Sequence, residues 1–130
     1  MSCLYVAVSQ QCKDTYGANA LKIGFSSRGP ETRAKWLKQE GYGGFRDWRI
    51  VNCEWFRREH LSAKQLESLE RGVFGCLANA GSKNPCPEAD EIISAQMSDV
   101  IAAFQWVKRR VNSGDWDFNS EKQSRDSTLQ

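Results

Sequence analysis

The sequence predicts an α/β protein in which a small, three-stranded, mainly antiparallel sheet is flanked by helices. Two short apolar stretches near the N-terminus, LYVAVS (4–9) and LKIGF (21–25), are rich in residues that favour strands. A third stretch, WRIVNCEWF (48–56), alternates enough to form a further strand. The second half of the chain instead carries apolar residues at helical spacing, and a length of 130 residues suits one core.

The first two strands are expected to form a hairpin across a loop at 10–20. Side chains alternate between the two faces of a strand, so Leu21, Ile23 and Phe25 share one face. Lys22 and Gly24 then share the other face, which we expect to be polar and accessible.

Two helix starts are visible downstream. Pro30, which is tolerated at the first helical position, predicts a helix over 30–39. A glycine-rich loop over 40–46 separates this helix from the third strand. The segment Ser62–Gln65 matches a capping box and predicts the start of a long helix that Gly81 ends.

Glu70 is expected to point towards the core from this long helix. Successive helical residues are rotated by about 100°, so with Leu66 at zero Glu70 lies at about 40°, between Leu77 at about 20° and Phe74 at about 80°. A carboxylate in this position needs a cation, several hydrogen-bond donors or a metal ion. A buried structural ion pair with an arginine and a functional site both meet this need.

The remaining segments complete a single domain over 1–118. EIIS (91–94) is expected to be a short extended piece, and a last amphipathic helix follows it. Its apolar positions are Met97, Val100, Ile101, Phe104, Val107 and Val111. The polar tail over 119–130 has no periodicity and is expected to be disordered.

Composition narrows the function classes. No run approaches the ~18 apolar residues of a membrane span, and nothing resembles a secretory signal, so we expect a cytoplasmic protein without a membrane partner. The five scattered cysteines favour reduced thiols over a disulfide framework or structural zinc. Residues 1–60 carry ten Lys/Arg against six Asp/Glu, whereas residues 61–130 carry eight against ten. Residues 1–60, which include the first two predicted strands and the first predicted helix, thus carry the excess of positive charge.

Four short features occur in an order that resembles the GIY-YIG endonuclease superfamily. Cys3-Leu4-Tyr5 stands at the family's Gly-Ile-Tyr, and Lys22-Ile23-Gly24 stands at its Tyr-Ile-Gly. Arg33 matches the arginine of the family's first helix, and Glu70 matches its metal-binding glutamate. The closest likeness is to the compact phage and bacterial branch related to the meiotically up-regulated domain. Cys3, Lys22 and Phe74 differ from residues that are common in the family, and Asn84 and Glu91 compete for the place of its late asparagine.

The resemblance implies a metal-dependent DNA endonuclease or nickase that hydrolyses phosphodiester bonds. Glu70 would hold one Mg²⁺ or Mn²⁺ ion. Tyr5 would help to activate the attacking water, with Lys22 and the metal lowering the pKa of its phenol. Arg33 would fork onto two phosphate oxygens and stabilise the charge of the transition state.

Each of these residues also has a structural interpretation. Tyr5 could fill space in a strand, and Lys22 could be a solvated strand residue. Arg33 could be a charge on the helix surface or the partner of Glu70. The joint occurrence of the four residues favours the nuclease site.

Four further cations are candidates for nucleic-acid binding. Lys35, Lys38, Arg46 and Arg49 are expected to flank the site, interleaved with Trp36, Tyr42 and Trp48. This pattern is typical of surfaces that hold a phosphate backbone and unstacked bases, although solvated charges over core aromatics also explain it. The sequence does not distinguish single-stranded from double-stranded DNA.

Two rival functions remain open. The chain could be a catalytically inactive module of the same fold that binds nucleic acid or inhibits a protein partner. It could also be a structural interaction protein that works through its tail or last helix. For a nuclease of this size we expect sequence selectivity to come from its loops, from a homo-oligomer or from a protein partner.

Overall fold

A computed structural model describes residues 2–56 and 61–118 and shows an antiparallel sheet of four strands with four helices. The elements follow one another as β1 Cys3–Val8, α1 Gln10–Tyr16, β2 Ala20–Ser26, α2 Pro30–Glu40, β3 Arg49–Trp55, α3 Ala63–Asn79, β4 Ile92–Ser94 and α4 Met97–Asn112. The strand order is β3-β1-β2-β4, so β1 and β2 lie at the centre. The α/β class and the hairpin of β1 and β2 agree with the prediction.

The prediction of three strands was one strand short. The expected extended piece at EIIS is β4, which pairs with β2 in the register Leu21↔Ile93 and Lys22↔Ile92. A strand of three residues is too short to show a clear alternation, and only its pairing with β2 makes it part of the sheet.

Both faces of the sheet are covered. Leu4, Val6 and Ile23 belong to the apolar core that the sheet shares with α3 and α4. Tyr5 and Ala7 point to the other face, where Leu37 of α2 joins a second apolar cluster. The expectation that the polar face of β2 is accessible was therefore wrong, because this second cluster leaves Lys22 only 2% exposed.

The segment predicted as a loop after β1 contains the helix α1. The Ser9 hydroxyl caps it by accepting a hydrogen bond from the Cys12 backbone N–H at 2.9 Å, and it also donates to the Asp47 carboxylate. Gln11 N–H donates to the same carboxylate at 3.1 Å. Residues from a distant loop thus stabilise a helix that is too short to show an apolar periodicity.

The other helices begin where the sequence predicts. Pro30 opens α2. Ser62 and Gln65 form the predicted capping box of α3, with Gln65 N–H donating to Ser62 Oγ at 3.1 Å and Ser62 N–H donating to Gln65 Oε1 at 2.9 Å. Gly81 lies just beyond the end of α3 with a φ of 94°. The tail over 119–130 lies outside the described residues.

Two further features bear on the sequence predictions. Within residues 2–56 and 61–118, no helix is long and apolar enough to cross a bilayer. The five cysteines, all in this part of the chain, form no disulfide.

Candidate active site

Tyr5 and Gly24 stand opposite each other on the central strands. They are paired in the β1–β2 register, and Lys22 lies two residues before Gly24 on β2. A Cβ atom on Gly24 would lie 2.6 Å from Tyr5 Oη and 2.9 Å from Lys22 Nζ. Glycine at this position therefore leaves the space in which the phenol and the ammonium meet.

Lys22 is buried, and its ammonium group contacts several polar and aromatic side chains. Its Nζ donates to Tyr5 Oη and to Glu91 Oε1, both at 2.7 Å. The same atom lies 4.8 Å from the centroid of the Tyr5 ring and 4.6 Å from that of Tyr42. Burial lowers the pKa of Lys22, whereas the Glu91 carboxylate acts in the opposite direction. The ion pair and the two rings thus compensate in part for the lost hydration of the ammonium.

Glu91 and Tyr42 are site residues that sequence reasoning largely missed. Glu91 N–H donates to Tyr42 Oη at 3.0 Å, so these two residues form one wall around Lys22. Burial raises the pKa of Tyr42 to about 12. An acidic residue directly before β4 was a weak signal for Glu91, and nothing in the glycine-rich loop distinguishes Tyr42 from a core aromatic. Asn84, the competing candidate, donates from Nδ2 to the Ala89 carbonyl at 3.4 Å.

Glu70 points inward, as the helical geometry predicts. It is 9% exposed, and its Oε2 has no hydrogen-bond partner among the described residues. Burial, followed by the Glu91 carboxylate, raises the pKa of Glu70 to about 8, while the Lys22 charge opposes this rise. Glu70 forms no salt bridge in the described part of the chain. The alternative in which Glu70 forms a structural ion pair with Arg33 is therefore wrong.

A cleft of about 770 Å³ opens beside Glu70. Its walls contain four carboxylates, two cations and two phenyl rings, which belong to Glu67, Glu70, Asp90, Glu91, Arg71, Lys83, Phe25 and Phe74. Glu91, Asp90 and Glu67 all act to raise the pKa of Glu70, which places their charges within its electrostatic reach. The cleft thus concentrates negative charge around one buried carboxylate.

These residues fit a hard divalent cation. No group of three His, Cys, Asp or Glu side chains among residues 2–56 and 61–118 is arranged as a metal cage. Mg²⁺, however, usually keeps several waters and takes only one or two carboxylates. The unpartnered Oε2 of Glu70, buried among like charges, is an oxygen that such an ion would satisfy.

Arg33 does not line this cleft. Its guanidinium lies 4.8 Å from the centroid of the Trp36 ring, and the two residues line a smaller cleft of about 310 Å³ with Ser26 and Arg28. The Arg33 charge nevertheless acts on the pKa values of both Tyr5 and Lys22. Tyr5, Lys22, Arg33 and Glu70 therefore share one electrostatic neighbourhood but not one open cavity.

The pKa of Tyr5 is not lowered in the protein alone, and the joint effect of Lys22 and a metal ion stays a prediction. Burial raises the pKa of Tyr5 above its ordinary value, and the Arg33 charge opposes this only in part. Tyr5 is 1% exposed, so the loss of hydration outweighs the neighbouring cations. The phenol stays protonated at neutral pH.

The four cations predicted to bind nucleic acid do come together, but at another place. Lys35, Lys38, Arg46 and Arg49 all line a groove of about 900 Å³ between α2 and β3. None of them lines the cleft at Glu70, so the expectation that they flank the site needs correction. The reason is that α2 presents its lysines and Arg33 on different sides. The adjacent arginines Arg57 and Arg58, which the sequence also offers as DNA contacts, and the single histidine, His60, lie outside the described residues.

Comparison of the chain with protein-family models, with curated proteins and with solved structures gives no match. The likeness to the GIY-YIG superfamily stays a prediction from the residues quoted above.

Proposed function

We propose that the protein is a divalent-metal-dependent DNA endonuclease or nickase of GIY-YIG type. One observation carries this proposal. Glu70 places a buried carboxylate with an unpartnered oxygen on the wall of an acidic cleft, within electrostatic reach of Lys22. A carboxylate in a cleft whose pKa is raised by burial and by like charges is a functional-site candidate on physical grounds.

Glu70 is the residue that would hold Mg²⁺ or Mn²⁺, with Glu91 and Asp90 adding to the negative field that attracts the ion. A divalent ion here supplies neutralisation of phosphate charge and a lower pKa for a bound water. Because the pKa of Glu70 is about 8, the carboxyl carries a proton at neutral pH, and Glu70 would have to lose that proton to hold the ion.

Lys22, Tyr5 and Arg33 would position the reactants and bind the phosphate. Lys22 Nζ donates to Tyr5 Oη at 2.7 Å, which leaves the phenolic hydrogen available for a water or a phosphate oxygen. Tyr5 then positions a reactant as a neutral hydrogen-bond donor rather than as a phenolate. Arg33 can pair with two phosphate oxygens once its guanidinium leaves the Trp36 ring.

Hydrolysis adds a water oxygen to phosphorus and breaks one P–O bond. The site must therefore take a proton from the attacking water and return one to the leaving oxygen. Tyr5 is 1% exposed and Lys22 is 2% exposed, so a substrate reaches them only after the side chains around Lys22 move. A cation held by Glu70 would neutralise part of the negative charge in the cleft, and the attraction between Glu91 and Lys22 would then be weaker.

Nicking of supercoiled plasmid DNA in Mg²⁺ or Mn²⁺ tests the proposal. We expect the wild type to convert supercoiled into relaxed or linear DNA, and Glu70→Gln and Arg33→Ala to lose at least a hundredfold in rate. Glu40→Gln, at the exposed end of α2, is the matched control and is expected to cut normally. Equal cutting by Glu70→Gln and the wild type would show that the site assignment is wrong.

A second candidate is a catalytically inactive module that binds nucleic acid or inhibits a protein. The observation that favours it is the closure of the Tyr5–Lys22 pair, because an ammonium held by Glu91 at 2.7 Å is occupied by a partner from its own chain. This candidate predicts no cutting by the wild type under any metal condition, together with salt-dependent DNA binding.

A further inference from the structure

The groove between α2 and β3 is basic, and its cations have no carboxylate partners. Lys35 and Lys38 project from α2. Arg46 lies in the loop before β3, and Arg49 is the first residue of β3. All four side chains are exposed, and none forms an ion pair within the described residues. Their charges are thus available to a ligand.

Two carboxylates also line the groove, and one of them accepts hydrogen bonds from the start of α1. Asp47 accepts hydrogen bonds from the Ser9 hydroxyl and from Gln11 N–H at 3.1 Å. Glu31 is the other carboxylate. Four cations against two carboxylates give the groove a positive field, which selects an anionic ligand.

The floor of the groove is apolar along the edge strand β3. Ile50, Val51 and Cys53 line it, and Val51 is 40% exposed. At the far end of β3, Trp55 is 36% exposed and its ring lies 3.5 Å from the position of a Cβ on Gly29, beside the start of α2. The groove therefore combines charged walls with an apolar floor and an accessible aromatic ring at one end.

This groove is separate from the candidate active site. On a helical projection Arg33 lies roughly 170° around α2 from the middle of the face that carries Glu31, Lys35 and Lys38. Arg33 lines another cleft, and no residue of the groove lines the cleft at Glu70. Binding here needs neither a metal ion nor the Glu70 carboxylate.

We propose that the α2–β3 groove binds single-stranded nucleic acid. The four cations hold successive phosphates, and unpaired bases cover the apolar floor and stack on Trp55. A duplex keeps its bases inside and offers only phosphates to this surface, which leaves the apolar floor exposed to water. If the protein is a nuclease, the nucleic acid in this groove is a part of the substrate that is not cut. Only this statement rests on the proposed function, because binding in the groove does not require cutting.

Fluorescence anisotropy with a labelled 15-mer of thymidine in EDTA tests this proposal with the full chain. Lys35→Ala/Lys38→Ala removes two groove cations, and Lys64→Ala/Arg109→Ala removes two exposed cations on α3 and α4 as a matched control. We expect the groove variant to bind at least tenfold more weakly and the control to bind within twofold of the wild type. The slope of log K against log[salt] should fall by about 1.4 in magnitude for the groove variant.

Further arms separate the possible outcomes. Trp55→Ala is expected to weaken binding of the single strand several-fold, and circular dichroism melts confirm that each variant is folded. Glu70→Gln is expected to bind like the wild type in EDTA, so a failure of the nuclease proposal leaves this result unchanged. Equal affinities of the groove variant and the control would overturn the inference. So would tighter binding of a duplex of the same length, or displacement of the strand by an equally charged polyglutamate.

Discussion

At the scale of single residues, Glu70 links stability to pH. Its pKa is about 8 in the folded chain against 4.5 for the free side chain, so folding takes up a proton between these values. The unfolding free energy of the wild type should therefore fall from about pH 5 to pH 8, relative to Glu70→Gln, by up to roughly 5 kcal/mol. Urea titrations of both proteins across this range measure the difference. Parallel pH profiles would show that Glu70 is not a buried, proton-binding carboxyl.

The buried contacts of Lys22 are expected to contribute to the unfolding free energy. Lys22→Met keeps the length of the buried stem but leaves Glu91 Oε1 and Tyr5 Oη without their donor. We expect a loss of about 2–4 kcal/mol in unfolding free energy, because one partner of a buried pair is removed. Lys38→Met, on the exposed face of α2, should change it by less than about 0.5 kcal/mol. A Lys22→Met protein as stable as the wild type would mean that the pair contributes nothing.

The orientation of Glu70 could be predicted from the sequence, whereas the burial of Lys22 could not. The direction of Glu70 depends only on helical geometry within α3, which the apolar residues around it define. Lys22 is covered by Tyr42 and Glu91, which lie 20 and 69 positions further along the chain. Strand alternation gives the face on which a residue lies but not what another segment places over that face.

At the scale of elements, α3 and the segment after α4 depend on a glycine in the middle of a helix. A Cβ on Gly72 would lie 2.3 Å from the Trp116 ring, and Trp116 Nε1 donates to Ser68 Oγ at 3.2 Å. Helix propensity alone favours alanine at Gly72 by about 1 kcal/mol. We expect Gly72→Ala to destabilise the protein by about 1–3 kcal/mol instead, because the ring must move.

A double-mutant cycle with Trp116→Ala checks this expectation by thermal or urea unfolding. In the Trp116→Ala background, Gly72→Ala should become neutral or stabilising. Destabilisation of equal size in both backgrounds would rule out the contact with Trp116 as its cause.

Elements that carry their own start signals could be predicted, and those fixed by distant contacts could not. Pro30 and the Ser62 capping box mark the beginnings of α2 and α3. The helix α1 instead depends on the contacts of Ser9 and Gln11 with Asp47, from a loop more than thirty residues away. Likewise β4 exists as a strand only through its pairing with β2.

At the scale of the whole molecule, the chain carries two separate surfaces of opposite charge, with four carboxylates against two cations in the cleft at Glu70 and four cations against two carboxylates in the groove. The cleft at Glu70 is acidic, and the groove on β3 is basic. The sequence indicates the basic character of the first half of the chain, but the assembly of four cations in one groove requires the packing of α2 against β3. Local spacing therefore could not show that these cations lie away from Arg33.

Metal binding should also be visible in global unfolding. An ion that binds only the folded chain adds about 1.4 kcal/mol to the unfolding free energy at a tenfold excess over its Kd. We expect Mg²⁺ to raise the thermal midpoint of the wild type by a few degrees, and Mn²⁺ to act in the same way. Glu40→Gln should respond like the wild type, and Glu70→Gln should show no rise. An equal rise in Glu70→Gln would place the ion elsewhere.

Whether Glu70 holds a metal ion can be measured by titrating its carboxyl, followed by carbon-13 NMR with and without Mg²⁺. The signal is assigned by its absence in Glu70→Gln. Without metal, the midpoint should lie near 8, because the carboxyl is buried and surrounded by like charges. With saturating Mg²⁺ it should fall by more than one unit, because the ion binds only the ionised form. A midpoint near the ordinary value of a glutamate would show that Glu70 is not buried among like charges, and a midpoint that Mg²⁺ leaves unchanged would show that Glu70 does not bind the ion.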